Sequence, residues 1–262
     1  MSLKSLLRSM APLAAIALAA AASGGCDKMH VSLNGEEGKK LADLDLTGAT
    51  PSEVALLGPD TVRIVQGDKL EISVDGDPEV AGRMRFTLND GSLGIMRESG
   101  KWSGDEVVTV NVTMPAPKKL VMAGSGKIFS PALASDSARV TIAGSGTIET
   151  EGVATESLKV DIAGSGSYRA AGSAKSLKIS IAGSGDARLD ALKVEHAKID
   201  IAGSGNTAFA SDGTVKANIM GSGEVRVIGR ATCKVTSMGS GRLVCEPAAS
   251  AGAKPKSDKP KA

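Results

Sequence analysis

The chain is nearly devoid of aromatic residues, with three Phe, one Trp and one Tyr among 262. An ordinary globular core of this size would hold more, and aromatic platforms for stacking neutral sugars are missing too. Histidine is as scarce. His30 and His196 lie far apart, too few ligands for a metal site, and they read as two surface side chains. The net charge of +2 selects no partner by bulk attraction, and no nucleic-acid-binding motif is present. No G-x-S-x-G elbow appears, and nothing implies a cofactor. The apolar run at residues 10–22 is 13 residues long, too short to cross a bilayer as a helix.

Glycine is what the chain has in quantity, 32 in all. The tripeptide Gly-Ser-Gly occurs seven times, framed by Gly124 and Gly126, Gly144 and Gly146, Gly164 and Gly166, Gly183 and Gly185, Gly203 and Gly205, Gly221 and Gly223, and Gly239 and Gly241. Successive copies are 20, 20, 19, 20, 18 and 18 residues apart. A repeat of this length points to a solenoid, because one coil cannot bury its own apolar face and must stack on its neighbours.

Aligned on the tripeptide, the copies give columns. Four residues before each first glycine stand Leu120, Val140, Val160, Ile179, Ile199, Ala217 and Val235, and two before it Met122, Ile142, Ile162, Ile181, Ile201, Ile219 and Ser237. The residues between them are mostly polar. Alternation with β-branched side chains is the signature of a half-buried strand. After the turn, Ile128, Ile148, Tyr168, Ala187, Thr207, Val225 and Leu243 begin a second strand of the same period. Each repeat is expected to run strand, Gly-Ser-Gly turn, strand, second turn. The same strand of successive coils then stacks in parallel about 4.8 Å apart. The fold class is all-β, a single-stranded parallel β-helix or two-sheet β-solenoid, of about ten coils if the N-terminal strands are counted. The Gly-Ser-Gly turns are not phosphate loops, since they join strands rather than open helices. They are not nucleophiles either, since seven identical turns offer no adjacent base.

The stretch VDIAGSGSYRAAGSAKSLKISIAGSGDARL closely resembles the GIN-domain family, described as autotransporter adhesin heads. Over roughly residues 41–246 the resemblance implies a right-handed parallel β-helix related in shape to pectate lyases. It implies no catalytic residues. A lyase-like site would need clustered carboxylates for Ca²⁺, and Asp161 and Asp200 share a column with Ser180 between them, too far apart for one cation to bridge. The reading is therefore non-enzymatic.

The rest of the chain divides around the repeats. Residues 1–25 carry a charged start (Lys4, Arg8) and the short apolar run, and read as a signal peptide. Ser23-Gly24-Gly25-Cys26 resembles a lipobox with Cys26 as the lipidated residue, although Ser23 departs from the usual Leu. The alternative is cleavage upstream, leaving Cys26 free. Either way the mature chain is exported to the periplasm or cell envelope, anchored to a membrane in the first case. Residues 26–40 are a polar linker and 41–246 the solenoid domain. Strands are expected at 61–66, 70–74, 92–96 and 107–112, as irregular first coils that cap the array. The Lys-, Pro- and Ala-rich residues 247–262 lack apolar pattern and should be disordered.

Cys233 and Cys245 both take inward phases in the last coil. An exported compartment would let them pair, but facing sheets lie about 10 Å apart, so the coil would have to pinch. A bridge and two buried thiols are both open. One outward column stands apart. Five residues before each first glycine stand Lys119, Arg139, Lys159, Lys178, Lys198, Lys216 and Lys234, seven cations in seven copies. A solvated lysine face would resist sheet-to-sheet aggregation. A linear strip of charge would instead suit a repeating polyanion such as an acidic polysaccharide or envelope polymer.

Overall fold

A computed structural model of the protein describes residues 32–33, 36–48, 50–98 and 106–247. The expected signal segment, Cys26, His30 and the tail beyond Pro247 lie outside the described residues. β1 (Ser32–Leu33) and β2 (Glu36–Glu37) form a small antiparallel pair. The remaining strands join one 15-stranded sheet. They are β3 (Glu53–Leu57), β4 (Thr61–Gln66), β5 (Glu71–Asp75), β6 (Met84–Asn89), β7 (Ser92–Arg97), β8 (Thr109–Met114), β9 (Lys119–Gly124), β10 (Lys127–Gly144), β11 (Thr147–Gly164), β12 (Ser167–Gly183), β13 (Asp186–Gly203), β14 (Asn206–Gly221), β15 (Glu224–Ile228), β16 (Thr232–Met238) and β17 (Arg242–Glu246). One α-helical turn, α1 (Pro78–Ala81), is capped by the Asp77 carboxylate, which accepts the amides of Glu79 at 2.8 Å and Val80 at 3.1 Å.

From β9 onward every pairing is parallel and its register is the sequence repeat itself: Val140 opposes Val160, Val160 opposes Ile179, and Ile179 opposes Ile199. These four side chains are fully buried, each contributing roughly 1.5–3 kcal/mol of apolar burial. The chain is thus a parallel β-solenoid of about six turns, fewer than the ten coils expected. The difference lies in residues 61–114. There β7 and β8 stack parallel on β3 and β4 as one further coil, whereas β5 runs antiparallel to β8 and β6 antiparallel to β7, so β5 and β6 cap that end instead of adding a coil.

The second turn of each repeat is softer than its sequence suggests. β11 continues as one strand through 18 residues. The buried positions slip from Ile148 and Thr150 to Val153, then to Leu158, Val160 and Ile162, with register shifts at the same place in the next coil. The chain bends around this corner without leaving the ladder.

The Gly-Ser-Gly corner is sharper. Gly144 has φ of +119°, and a Cβ there would lie 2.5 Å from the Gly124 carbonyl oxygen of the coil below. At the third position a Cβ on Gly185 would lie 2.7 Å from the Gly166 oxygen. The first glycine supplies a backbone conformation, and the third supplies clearance for stacking.

At the far end the coil tapers. Cys233 and Cys245 are joined by a disulfide with a Cα separation of 6.8 Å, well inside the usual distance between facing sheets. Their coil is not buried as expected. Among the described residues no strand pairs with the outer edges of β16 and β17, and Val235 is 45% and Met238 70% exposed.

Candidate functional site

The seven cations of the repeat fall in one register column. Lys119 opposes Arg139, Arg139 opposes Lys159, Lys159 opposes Lys178, and the row continues through Lys198, Lys216 and Lys234. From Arg139 to Lys216 each side chain stands between buried neighbours of its own strand, as Lys159 does between Leu158 and Val160. The strand period therefore aims all seven away from the core. Exposure is graded: Lys198, Lys216 and Lys234 are exposed and the earlier four half-buried. Lys159, expected to be fully exposed, keeps 20% of its side chain accessible because its tip turns back onto Asp161.

Like charges one strand spacing apart repel by about 1 kcal/mol in water. Three of the seven are relieved by carboxylates: Lys119 by Glu53 at 2.7 Å, Lys159 by Asp161 at 3.0 Å and Lys198 by Asp200 at 3.5 Å. Among the described residues Arg139, Lys178, Lys216 and Lys234 have no carboxylate partner. Beside the cations runs a column that the sequence reading passed over: Ser137, Ser157, Ser176, His196, Thr214 and Thr232 stack in register. His196 lies within β13, where its Nδ1 and the Thr214 hydroxyl are 2.8 Å apart. The signal for this column was available two residues before every cation from Arg139 onward, but its serines resemble the turn serines and carry no apolar contrast.

The face after the turn behaves differently. Arg169 pairs with Glu149 at 3.0 Å, Arg188 with Asp186 at 3.3 Å and Arg226 with Glu246 at 3.6 Å. A shallow open depression there is lined by Asp186, Arg188, Asn206, Glu224 and Arg226 around the short side chain of Ala208. Its charges compensate one another: Asn206 Nδ2 donates to Asp186 at 3.2 Å, and Arg242 Nε donates to Glu224 at 2.6 Å. One face of the solenoid thus presents uncompensated positive charge and the other a neutral mosaic.

Carboxylates do not gather into a cation site. Asp161 and Asp200 stand on either side of Ser180, each engaged by its own lysine, and Asp200 also accepts Asn218 Nδ2 at 2.7 Å. Among the described residues no three His, Cys, Asp or Glu side chains converge to hold a metal.

Solved structures share this architecture. A "putative adhesin" from Bacteroides fragilis superposes with a TM-score of 0.68 at 15% identity, over 76% of this chain and 93% of its own. A "putative lipid binding protein" from Parabacteroides distasonis gives 0.59 at 20% identity, over 75% and 93%. A "putative adhesin" from Parabacteroides merdae gives 0.53 at 18% identity, over 77% and 93%. At these identities the likeness establishes the fold. No curated protein matches the sequence. The family model described as "Putative auto-transporter adhesin, head GIN domain", an adhesin description and not an enzyme's, matches residues 50–231, and the chain belongs to that family.

Proposed function

We propose that the protein is an exported cell-envelope binding module whose basic ladder holds anionic polymers, acidic polysaccharide foremost. The observation that carries this reading is the contrast between faces. Seven cations stand in one column with three carboxylate partners, whereas Arg169, Arg188 and Arg226 on the other face are each neutralised. A straight row gains affinity through multivalency, each contact raising the effective concentration of the next. The polymer is bound along its length without being cleaved. Membership of a family described as adhesin heads agrees with a binding role at a surface.

Binding of polygalacturonate to the mature domain should fall steeply with salt. Replacing Lys159, Lys178 and Lys198 with Gln should weaken it far more than replacing Arg169, Arg188 and Arg226. Equal affinity of the two triple variants would reduce the ladder to a solubility device on a ligand-free envelope protein. Cys26 is the proposed lipid anchor. Cys26→Ala should release the protein into the soluble fraction, and unchanged membrane association in that variant would defeat the anchor.

A further inference from the structure

The ladder is uniform in sequence but not in charge. Rung by rung, Lys119 is held by Glu53, Arg139 has no carboxylate, Lys159 is held by Asp161, Lys178 has none, Lys198 is held by Asp200, and Lys216 has none. Two of the three carboxylates come from the outward position two residues after the cation. That position carries Asp in the rungs of Lys159 and Lys198 but Thr141, Ser180 and Asn218 in the rungs of Arg139, Lys178 and Lys216. The third, Glu53, opposes Lys119 directly from β3. Neutralised and free cations therefore alternate from Lys119 to Lys216, and only Lys234, at the open end, breaks the order.

From this alternation we infer that the ladder selects a polyanion bearing charge on every second residue over one charged on every residue. Free cations two rungs apart are spaced about 10 Å along the axis. One extended sugar unit spans roughly one strand spacing, so a chain of alternating acidic and neutral sugars places its carboxylates at the free rungs and its neutral sugars over the paired ones. A carboxylate on every sugar would bring half its charges onto Asp161, Asp200 and Glu53, where like charge opposes them. In the neighbouring column the paired rungs of Lys159 and Lys198 carry Ser157 and His196, polar side chains for the neutral sugars over those rungs.

This inference rests on the polyanion reading above, and its test separates the two. The probes are hyaluronan, with alternating acidic and neutral sugars, and polygalacturonate, acidic throughout, compared at equal carboxylate concentration. Hyaluronan should bind more tightly. Arg139→Gln/Lys178→Gln/Lys216→Gln should weaken hyaluronan about tenfold or more. The charge-neutral quadruple variant Lys159→Gln/Asp161→Asn/Lys198→Gln/Asp200→Asn should stay within about threefold of wild type, since it removes two self-neutralised pairs and leaves the net charge of the ladder and its free cations unchanged. Asp161→Asn/Asp200→Asn, which frees every middle rung, should tighten polygalacturonate more than hyaluronan and erase the preference. Equal binding of the two polymers to wild type, or equal losses in the triple and quadruple variants, would overturn the spacing inference while leaving polyanion binding intact. Failure of both polymers to bind would overturn the polyanion reading itself.

Discussion

Arg97 Nε donates to Asp60 Oδ2 at 2.9 Å, and both side chains are sealed from solvent, with 4% and 0% exposed. The Asp60 carboxylate also accepts the Val108 amide at 3.0 Å, and Arg97 reaches the Glu106 carbonyl at 3.0 Å. Asp60 occupies the third position of a turn, because Gly126 N bonds the Gly58 oxygen and Lys127 N bonds the Asp60 oxygen. Gly58-Pro59-Asp60 is thus an eighth copy of the corner, at the level below Gly124. In the stacked copies above it a third-position Cβ would strike the coil below. Here, above the coil of β7 and β8, the side chain instead turns onto Arg97 at the end of β7.

Removing one partner of this pair should be costly. Asp60→Ala removes the charge partner of a buried guanidinium and the acceptor of the Val108 amide, a loss of about 3–5 kcal/mol. Replacing both members, Asp60→Leu with Arg97→Met, should cost less than either single change, since well-packed apolar pairs often substitute for buried ions. Denaturant unfolding of the two single variants and the double variant checks this. Singles that unfold like wild type would mean the pair does not hold the cap.

The corner glycines should be among the least replaceable residues of the chain. Gly144→Ala must place a side chain at φ of +119° and 2.5 Å from the Gly124 oxygen. The backbone strain alone is about 1–3 kcal/mol, and the overlap adds to it. Gly48, which has nothing within 4 Å of its Cβ position, should accept Ala within about 0.5 kcal/mol. If the two variants unfold at the same denaturant concentration, the coils are not stacked as described.

These glycines also mark how far the sequence could be read. Wherever the same contact recurs, one mistaken residue cannot hide the period, and the columns of Val140, Val160, Ile179 and Ile199 were legible at once. The first corner escaped because Gly58-Pro59-Asp60 performs the turn with a different tripeptide. The reversed direction of β5 and β6 escaped for a related reason: alternation marks a strand but not the direction of its neighbour, so these antiparallel strands looked like coils. At the candidate site, the cation column was visible as one residue type at one phase. The alternation of its charge was not, because Glu53 arrives from a strand 66 residues upstream of Lys119, paired across the sheet.

The single tyrosine of the chain provides an internal titration probe. Tyr168 is fully buried, and its hydroxyl lies 2.8 Å from Thr150 Oγ1. Burial pushes its phenol well above the usual range, with the Thr150 hydrogen bond acting in the opposite direction. The folded state thus holds its proton more tightly than the unfolded state. The stability linked to this group is fully present below the unfolded value of about 10 and is lost as pH rises above it. Phenolate absorbance should therefore appear only as the protein unfolds in alkali. A reversible titration near the ordinary tyrosine range, with the circular dichroism of the sheet intact, would show that Tyr168 is not inside.

The C-terminal coil should behave as a separate, weaker unit. In a solenoid each coil touches only its neighbours, so a terminal coil has half the support of an internal one. Among the described residues β16 pairs only with β14, and β17 only with β15. What closes this coil on itself is the disulfide between Cys233 and Cys245, 12 residues apart. A loop of that size restricts the opened chain by about 3 kcal/mol, and that restraint acts locally because among the described residues no further coil stacks on this one. Cys233→Ser/Cys245→Ser should accelerate amide exchange across residues 232–246 by about tenfold or more, the opening of a low-stability segment. Exchange in β11, β12 and β13 should be unchanged, and so should the main unfolding transition. If exchange in β12 rises as steeply as in β16, the solenoid unfolds as one cooperative body, and the last coil is a full member of it and not a pinned end.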